Sequence, residues 1–448
     1  MGSKSFSVSI NTKIKPFHKS INIDPDKSIS IRCFLIGSIC QNISTASNVL
    51  ESEDVKSAIS VCKKLGVKIK KIKSKTYKIF GKGLGCLYAK KNLDLNFGNS
   101  GTLARLMIGI LSTTPDIQVR LKGDKSLSKR SMKKLIDLMS GFGSSFLPNN
   151  KFTFPLKMIS SKMPVGVTYR AGVSAQLKSS VILAGLNSNG DTKIIEQVKS
   201  RDHTENFLKE NKSVMNIKPG IKKIINIRGK KQLKPFNVDV PGDPSSAAFF
   251  SALTLLNPNS SLKIKSVGLN PTRIGFYKLL KKQKTKIKFI NLKKINNEIR
   301  GDIIIKSSKI KPIRASKDYY VNSTDEYPIL FVIAALTKGT SFFDGIGDLA
   351  NKESDRIKEM QKILKQIGVK SNSSKNRLKI FGKGLIDASN KKVTVENLGD
   401  HRICMSAFIL ALITGAKINI KNFETVFTSA PSFLKIIKSL GAKFEKKN

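Results

Sequence analysis

Hydrophobic stretches along the chain are of two kinds. Short apolar runs read as strands, while longer ones opened by acidic or small polar residues and closed by glycine read as helices. Two helices stand out, from Glu53-Asp54 to Gly66 and from Glu353-Ser354-Asp355 to Gly368. Each is followed by Gly-Val-Lys at the start of a strand. Further apolar helices are expected behind Gly98-Asn99-Ser100, behind Gly399-Asp400-His401, and over Ile329–Leu336 behind Asp325-Glu326-Tyr327-Pro328.

These stretches repeat. The hexapeptide Ile-Phe-Gly-Lys-Gly-Leu occurs at Ile79–Leu84 and again at Ile380–Leu385, an offset of 301, and the flanking patterns match at the same offset. Helix-closing glycines are also expected at Gly143, Gly220 and Gly441, with a weaker counterpart near Thr285. The spacing of about 75 residues divides the chain into six units. Each reads strand, helix, strand, then a pair of strands around a glycine turn, so the fold class is α/β built from α+β repeats. The Phe-Gly-Lys-Gly turn joins strand to strand and does not open a helix, which argues for structure over phosphate binding. Six units split into three and three, with a crossover at Asp239-Val240-Pro241-Gly242 where a Pro-Gly step interrupts the pattern. Two similar lobes with a cleft between them are expected, residues 1–24 plus 243–448 and residues 25–242.

Composition sharpens the picture. The chain has 448 residues, 40% apolar and 25% charged, which suits a globular protein. No apolar run approaches a membrane span; the best surrounds Met405–Ile413. Met1–Phe17 alternates polar and apolar residues, so no secretory signal is read and a cytoplasmic location is expected. Five scattered cysteines (Cys33, Cys40, Cys62, Cys86, Cys404) and three histidines make a zinc site improbable, and each cysteine is expected to fill a small buried slot.

Lys plus Arg number 81 against 31 acidic residues, a net charge of +50. Sixty-eight are lysines, spread along the whole chain in Lys-Lys pairs, with few aromatics and no Trp. A nucleic-acid binder concentrates its charge and interleaves aromatics, so the lysines read as decoration of solvated faces. The 13 arginines behave differently. Arg32, Arg105, Arg130, Arg201, Arg273, Arg356 and Arg402 all lie in compact polar motifs. Arginine's planar fork matches carboxylates and phosphates.

Those motifs share one form, a strand end followed by a Gly/Asp/Ser turn and a helix. They are DKSISIR from Asp26, GNSGT from Gly98, GDKSLSKR from Gly123, SAQLKS from Ser174, GDPSS from Gly242, NPTR from Asn270 and GDHRI from Gly399. A single copy is no more than a capped helix. Several copies together offer free N–H groups, partial positive charge and nearby Lys or Arg, which suits small, multiply charged anions. Asp325 and Glu353 add two carboxylates amid these cations, as proton abstraction and donation in one site require.

With SRDHTE from Ser200, VPGDPSSAAF from Val240, DEYPIL from Asp325 and KESDR from Lys352, the ordered strings resemble the 5-enolpyruvylshikimate-3-phosphate synthases from about Asp24 to Phe444. The resemblance implies two lobes of three repeated units each, an inside-out α/β barrel arrangement, closing on shikimate 3-phosphate and phosphoenolpyruvate. It implies a transferase of aromatic amino acid biosynthesis with no cofactor and no metal, acting on small molecules as a monomer, without nucleic acid or membrane. Residue by residue, it implies that Lys27, Ser28, Arg32, Ser174, Ala175, Gln176, Arg201, Asp325 and Lys352 hold shikimate 3-phosphate. Lys27, Gly101, Arg130, Gln176, Arg356 and Arg402 are implied to hold phosphoenolpyruvate, with the Asn99–Thr102 turn against it. Asp325 is the implied base, and Glu353 with Lys27 the implied proton handlers. Each phosphate carries roughly −1.5 to −2, so two phosphorylated carboxylates side by side need such a crowd of cations.

Three positions depart from the pattern. Ile31 stands where many relatives have His or Asn, Thr428 and Ser429 occupy a stretch where some have Lys, and Gly101 is smaller than the Ala of some relatives. The related transferase that acts on a nucleotide sugar opens with Lys-Asn and uses a loop cysteine. Here Lys27 precedes Ser28, and no cysteine lies in such a loop.

Overall fold

Six helices carry almost no polar face beyond their first turn, and such helices must be enclosed on every side. They are α1 (Lys27–Ile39), α2 (Gly101–Ser112), α3 (Ala175–Gly185), α4 (Pro244–Leu256), α5 (Tyr327–Ala335) and α6 (His401–Thr414). All residues of α4, α5 and α6 are buried. One such helix falls in each sequence repeat. α5 begins two residues earlier than expected because Pro328 fits its first turn, where no N–H is needed.

The computed structural model describes residues 5–396 and 399–447; residues 1–4 and 448, the ends of the first lobe and of the Met1–Phe17 stretch, lie outside. The chain groups into two units. One comprises Met1–Asp24, Pro241–Lys293 and Ile299–Asn448, and the other Pro25–Val240 with Lys294–Glu298. Each has its own hydrophobic core.

Around the helices lie six four-stranded sheets. In one, Asn237–Asp239 pairs in parallel with Ile43–Ser47, which pairs antiparallel with Thr76–Phe80, which pairs antiparallel with Lys68–Lys73. The same parallel-then-antiparallel succession recurs in the other five. Among the described residues no sheet closes into a barrel; each has an open strand order. The last sheet unites both ends of the chain, with Ser7–Ile10 between Lys417–Ile420 and Glu445–Lys447.

The repeated Phe-Gly-Lys-Gly proves to be a helix stop acting from outside. A methyl group on Gly81 would overlap the carbonyl oxygens of Cys40 and Gly37 at the end of α1. On Gly382 it would overlap those of Thr337 and Ala334 at the end of α5. Glycine lets the strand touch the helix end. The next residues then donate N–H groups to exposed helix carbonyls: Lys82 to Ser38 (2.9 Å), Gly83 to Cys40 (3.0 Å) and Lys383 to Ala335 (3.1 Å). The hairpin turn itself lies earlier, at Ser74-Lys75, where Lys75 has φ 54°.

Four expectations need correcting. Gly220 closes no helix; it lies between strands Met215–Lys218 and Lys223–Arg228, and the helix of that repeat, His203–Leu208, ends earlier. GDKSLSKR opens only a 3-10 turn over Leu127–Lys129, with the α-helix delayed to Lys133–Ser140, because Arg130 is extended. Asn270 caps no helix and instead folds back on Thr272 N–H (2.9 Å). Cys86 is exposed, unlike the other four thiols; burial pushes Cys40 and Cys62 up to about 12.

Candidate active site

In the unit containing Pro25–Val240, three helix starts are held together. Asp26 caps α1 by accepting Ile29 N–H (2.8 Å), Ser100 caps α2 through Leu103 N–H (3.2 Å), and Ser174 caps α3 through Leu177 N–H (3.4 Å). α2 and α3 run parallel, since Gln176 donates to Thr102 Oγ1 (3.0 Å) and Thr113 donates to the Ala184 carbonyl (3.1 Å). Their positive ends therefore face the same way. α1 joins them through Arg32, whose Nη2 donates to Ser179 Oγ (3.2 Å).

Arg32 is buried and fully organised. Its Nε donates to Thr204 Oγ1 (2.8 Å) and its Nη1 to the Ser28 carbonyl (2.9 Å). Lys27, first residue of α1, pairs with buried Asp54 at 3.0 Å. Gly101 sits under two arginines: an added Cβ would lie 2.6 Å from Arg105 Nη1 and 3.2 Å from Arg130 Nη1. Arg130 is oriented by Asn99 Oδ1 (2.7 Å) and Ser126 Oγ (3.2 Å), and Arg105 by Gln176 Oε1 (2.9 Å). Ser174, Ala175 and Gln176 form the cap and first turn of α3, and half-buried Arg201 follows buried Ser200. Ile31 is fully buried, so the departure there changes core packing.

In the other unit, Asp400 is the organiser. Its Oδ1 accepts the Arg402 N–H at the start of α6 (2.9 Å), while Oδ2 accepts Arg356 Nε (2.8 Å) and Ser354 Oγ (3.0 Å). Arg356, 1% exposed, also donates to Glu353 Oε2 (2.7 Å) and lies 3.7 Å from Asp325 Oδ1. Both carboxylates read as proton handlers thus flank one guanidinium. Burial pulls the Arg356 pKa down, but Asp400, Glu353 and Asp325 outweigh it and hold the group well above the ordinary arginine range. Asp325 does not cap α5, which has no side-chain cap. Lys352 pairs with Asp348 (2.5 Å), which also accepts the Tyr320 hydroxyl (2.8 Å).

Arg402 is the least satisfied arginine of this set, since Arg356 leaves only Nη1 without a hydrogen bond among the described residues. It is buried, with its guanidinium 5.8 Å from the Phe249 ring, yet Nε and Nη1 have no hydrogen-bond partner among the described residues. Buried donors left unsatisfied are costly and call for a ligand or another reason. Thr428 spends its hydroxyl on the Thr425 carbonyl (2.8 Å).

The predicted residues therefore form two sets. Lys27, Ser28, Arg32, Gly101, Arg130, Ser174, Ala175, Gln176 and Arg201 belong to one unit, and Asp325, Lys352, Glu353, Arg356 and Arg402 to the other. Reasoning from sequence missed the groups that aim them: Asp54, Ser179, Thr204, Asp348 and Tyr320. Asp54 carried a signal as an acidic residue at a helix start, and Ser179 and Thr204 fall inside SAQLKS and SRDHTE, whereas Asp348 and Tyr320 carried none. No cluster of three or more His, Cys, Asp or Glu side chains suited to a metal occurs among the described residues. None of their helices is long and apolar enough to cross a membrane.

The chain is similar to known proteins. The sequence profile of EPSP synthase (3-phosphoshikimate 1-carboxyvinyltransferase) matches residues 11–437. A 3-phosphoshikimate 1-carboxyvinyltransferase of Zymomonas mobilis is 36% identical over 442 residues, covering 97% of both chains. One of Petrotoga mobilis is 37% identical over 432 residues, covering 96% of this chain and 98% of its own. The solved EPSP synthase of Acinetobacter baumannii superposes with a TM-score of 0.83 at 32% identity, covering 99% of this chain and 100% of its own.

Proposed function

Because the chain belongs to the EPSP synthase family, we propose a division of labour among its residues for that family's reaction. The enzyme is a transferase of the shikimate pathway that binds shikimate 3-phosphate and phosphoenolpyruvate. It moves the enolpyruvyl group of phosphoenolpyruvate to the 5-hydroxyl of shikimate 3-phosphate and releases phosphate.

Shikimate 3-phosphate is held by Lys27, Ser28, Arg32, Ser174, Ala175, Gln176, Arg201, Asp325 and Lys352. Phosphoenolpyruvate is held by Lys27, Arg130, Gln176, Arg356 and Arg402, with Gly101 leaving room for it. Asp325 takes the proton of the 5-hydroxyl as its oxygen bonds to C2 of phosphoenolpyruvate, and Glu353 with Lys27 supplies a proton to the methylene carbon. Loss of a methyl proton then restores the double bond as phosphate leaves. The enzyme works as a cytoplasmic monomer without nucleic acid, a reading supported by lysines dispersed along the sequence.

The observation that carries this reading is Arg402, whose buried guanidinium has two nitrogens without a hydrogen-bond partner among the described residues, beside a carboxylate–arginine array already built. An anionic substrate satisfies those donors. The test is a phosphate-release assay on the purified chain. Release is expected only when both substrates are present, and chelator leaves it unchanged. Release from phosphoenolpyruvate alone, or none with both, would overturn the reading.

A further inference from the structure

Lysines on this protein are overwhelmingly solvated, but Lys178 is not. It lies on α3, two residues beyond Gln176, so it points away from the helix's substrate-facing side toward the sheet behind it. Its side chain is 0% exposed, as is that of Glu196, and Glu205 is 2% exposed. The ammonium has three acceptors: Glu196 Oε1 (2.6 Å), Glu205 Oε1 (2.7 Å) and the Ser200 carbonyl (3.4 Å). Lys223 completes the cluster at 3.2 Å from Glu205 and 3.5 Å from Glu196. Burial disfavours the charge on Lys178, but Glu205 and Glu196 more than offset it and raise its pKa above the ordinary value. Burial likewise pushes Glu196 up, and Lys178 brings it below the ordinary carboxylate range.

Such a cluster is a poor source of stability, because desolvating four charges consumes most of what their attraction returns. Its geometry shows what it does supply. Ser200 N–H and Oγ both donate to Glu196 Oε1 (2.9 and 2.8 Å), so every polar group of Ser200 is clamped. Arg201 is the next residue. Glu205 follows Thr204, whose hydroxyl donates to Ser179 Oγ (2.8 Å) and accepts from Arg32 Nε. Ser179 in turn follows Lys178 on α3. The chain positions adjoining the cluster are therefore those that present Arg201 and Arg32.

We propose that Lys178, with Glu196 and Glu205, is a positioning residue that sets Arg201 and Arg32 for the phosphorylated ring substrate. The inference rests on the reading of those two arginines as ligands of shikimate 3-phosphate. The effect is expected on that substrate, since the residues adjoining the cluster present Arg201 and Arg32, both assigned to it.

The test is steady-state kinetics with each substrate varied in turn, on the full chain carrying Lys178→Met, Glu196→Leu and Glu205→Met together. Apolar replacement of the three most buried members together is tolerated better than removal of one partner, and the remaining Lys223 is the member with solvent exposure, at 15%. The KM for shikimate 3-phosphate should rise about tenfold or more, as small misplacements of binding groups do. The KM for phosphoenolpyruvate should stay within about twofold. A folded variant with unchanged KM for shikimate 3-phosphate, or with both KM values raised alike, overturns the proposal. Should the triple variant not fold, Ser200→Ala decides by the same split between substrates. Arg201→Ala separates the two levels of argument. If it raises the KM for shikimate 3-phosphate and the cluster variant does not, only the positioning role fails. If Arg201→Ala itself changes nothing, the ligand reading beneath it fails.

Discussion

Arg356 and Arg402 are both buried arginines at the edge of one array, and the fold asks different things of them. Arg356 is tied by Nε and Nη2 to Asp400 and Glu353, so removing it strands the buried carboxylate of Asp400. Arg402 spends little of its hydrogen-bonding capacity on the protein. Arg402→Ala should therefore change the unfolding free energy by less than about 1 kcal/mol, because no acceptor at Nε or Nη1 is stranded among the described residues. Its kcat/KM for phosphoenolpyruvate should nevertheless fall about 100-fold or more, the scale for losing a buried donor to a reacting anion. Denaturant melts beside kinetics check both; wild-type turnover in the variant removes Arg402 from the site. Asp325→Ala should lose about 10²–10⁴-fold in kcat, the usual worth of a proton-transfer group, while still binding both substrates. Calorimetric titration with near-normal turnover would dismiss it as the base. The identities of these residues were legible from motif strings. Their partners were not, since Asp400 meets Arg356 across a sequence separation of 44 and Arg32 meets Thr204 across 172.

At the scale of elements, the recurring device is a glycine strand laid on the end of an enclosed helix. Gly81 and Gly382 perform it in two different repeats against α1 and α5. Gly382→Ala forces a methyl into backbone carbonyls, which cannot swing aside as a side chain can. A loss of about 1–3 kcal/mol or more is expected, the range for overpacking a close contact. Gly172→Ala is the matched control, because nothing lies within 4 Å of its Cβ, and it should be neutral or slightly stabilising by under about 1 kcal/mol. Thermal melts of the two variants decide the point; equal stability would refute the helix-stop role. The repeat itself was visible as a duplicated hexapeptide, yet its meaning was not. A glycine between strands reads as a turn, and only the helix packed against it shows that close approach is what the residue serves. Gly220 failed for the converse reason. The local pattern near it matched a helix end, but the segment pairs along Lys223–Arg228 and its neighbours, and sheet pairing overrides local preference.

At the scale of the whole molecule, 31 acidic residues cannot neutralise 81 basic ones, so most cations lack a carboxylate of their own. Unscreened self-repulsion should then lower the stability of the folded chain. Added monovalent salt is expected to raise the melting temperature by screening it. A melting temperature that falls with salt would show instead that surface ion pairs dominate. The sequence by itself determined the six-fold repetition, the α/β class, the helix starts that carry Asp, Ser and Arg, and the family, because all of these are short-range patterns written along the chain. What only the tertiary structure decided is which groups meet. Lys178 among Glu196, Glu205 and Ser200, or Asp400 joined to Arg356, are bonds between elements. Their energies depend on burial and on distances of about 3 Å that no linear spacing encodes.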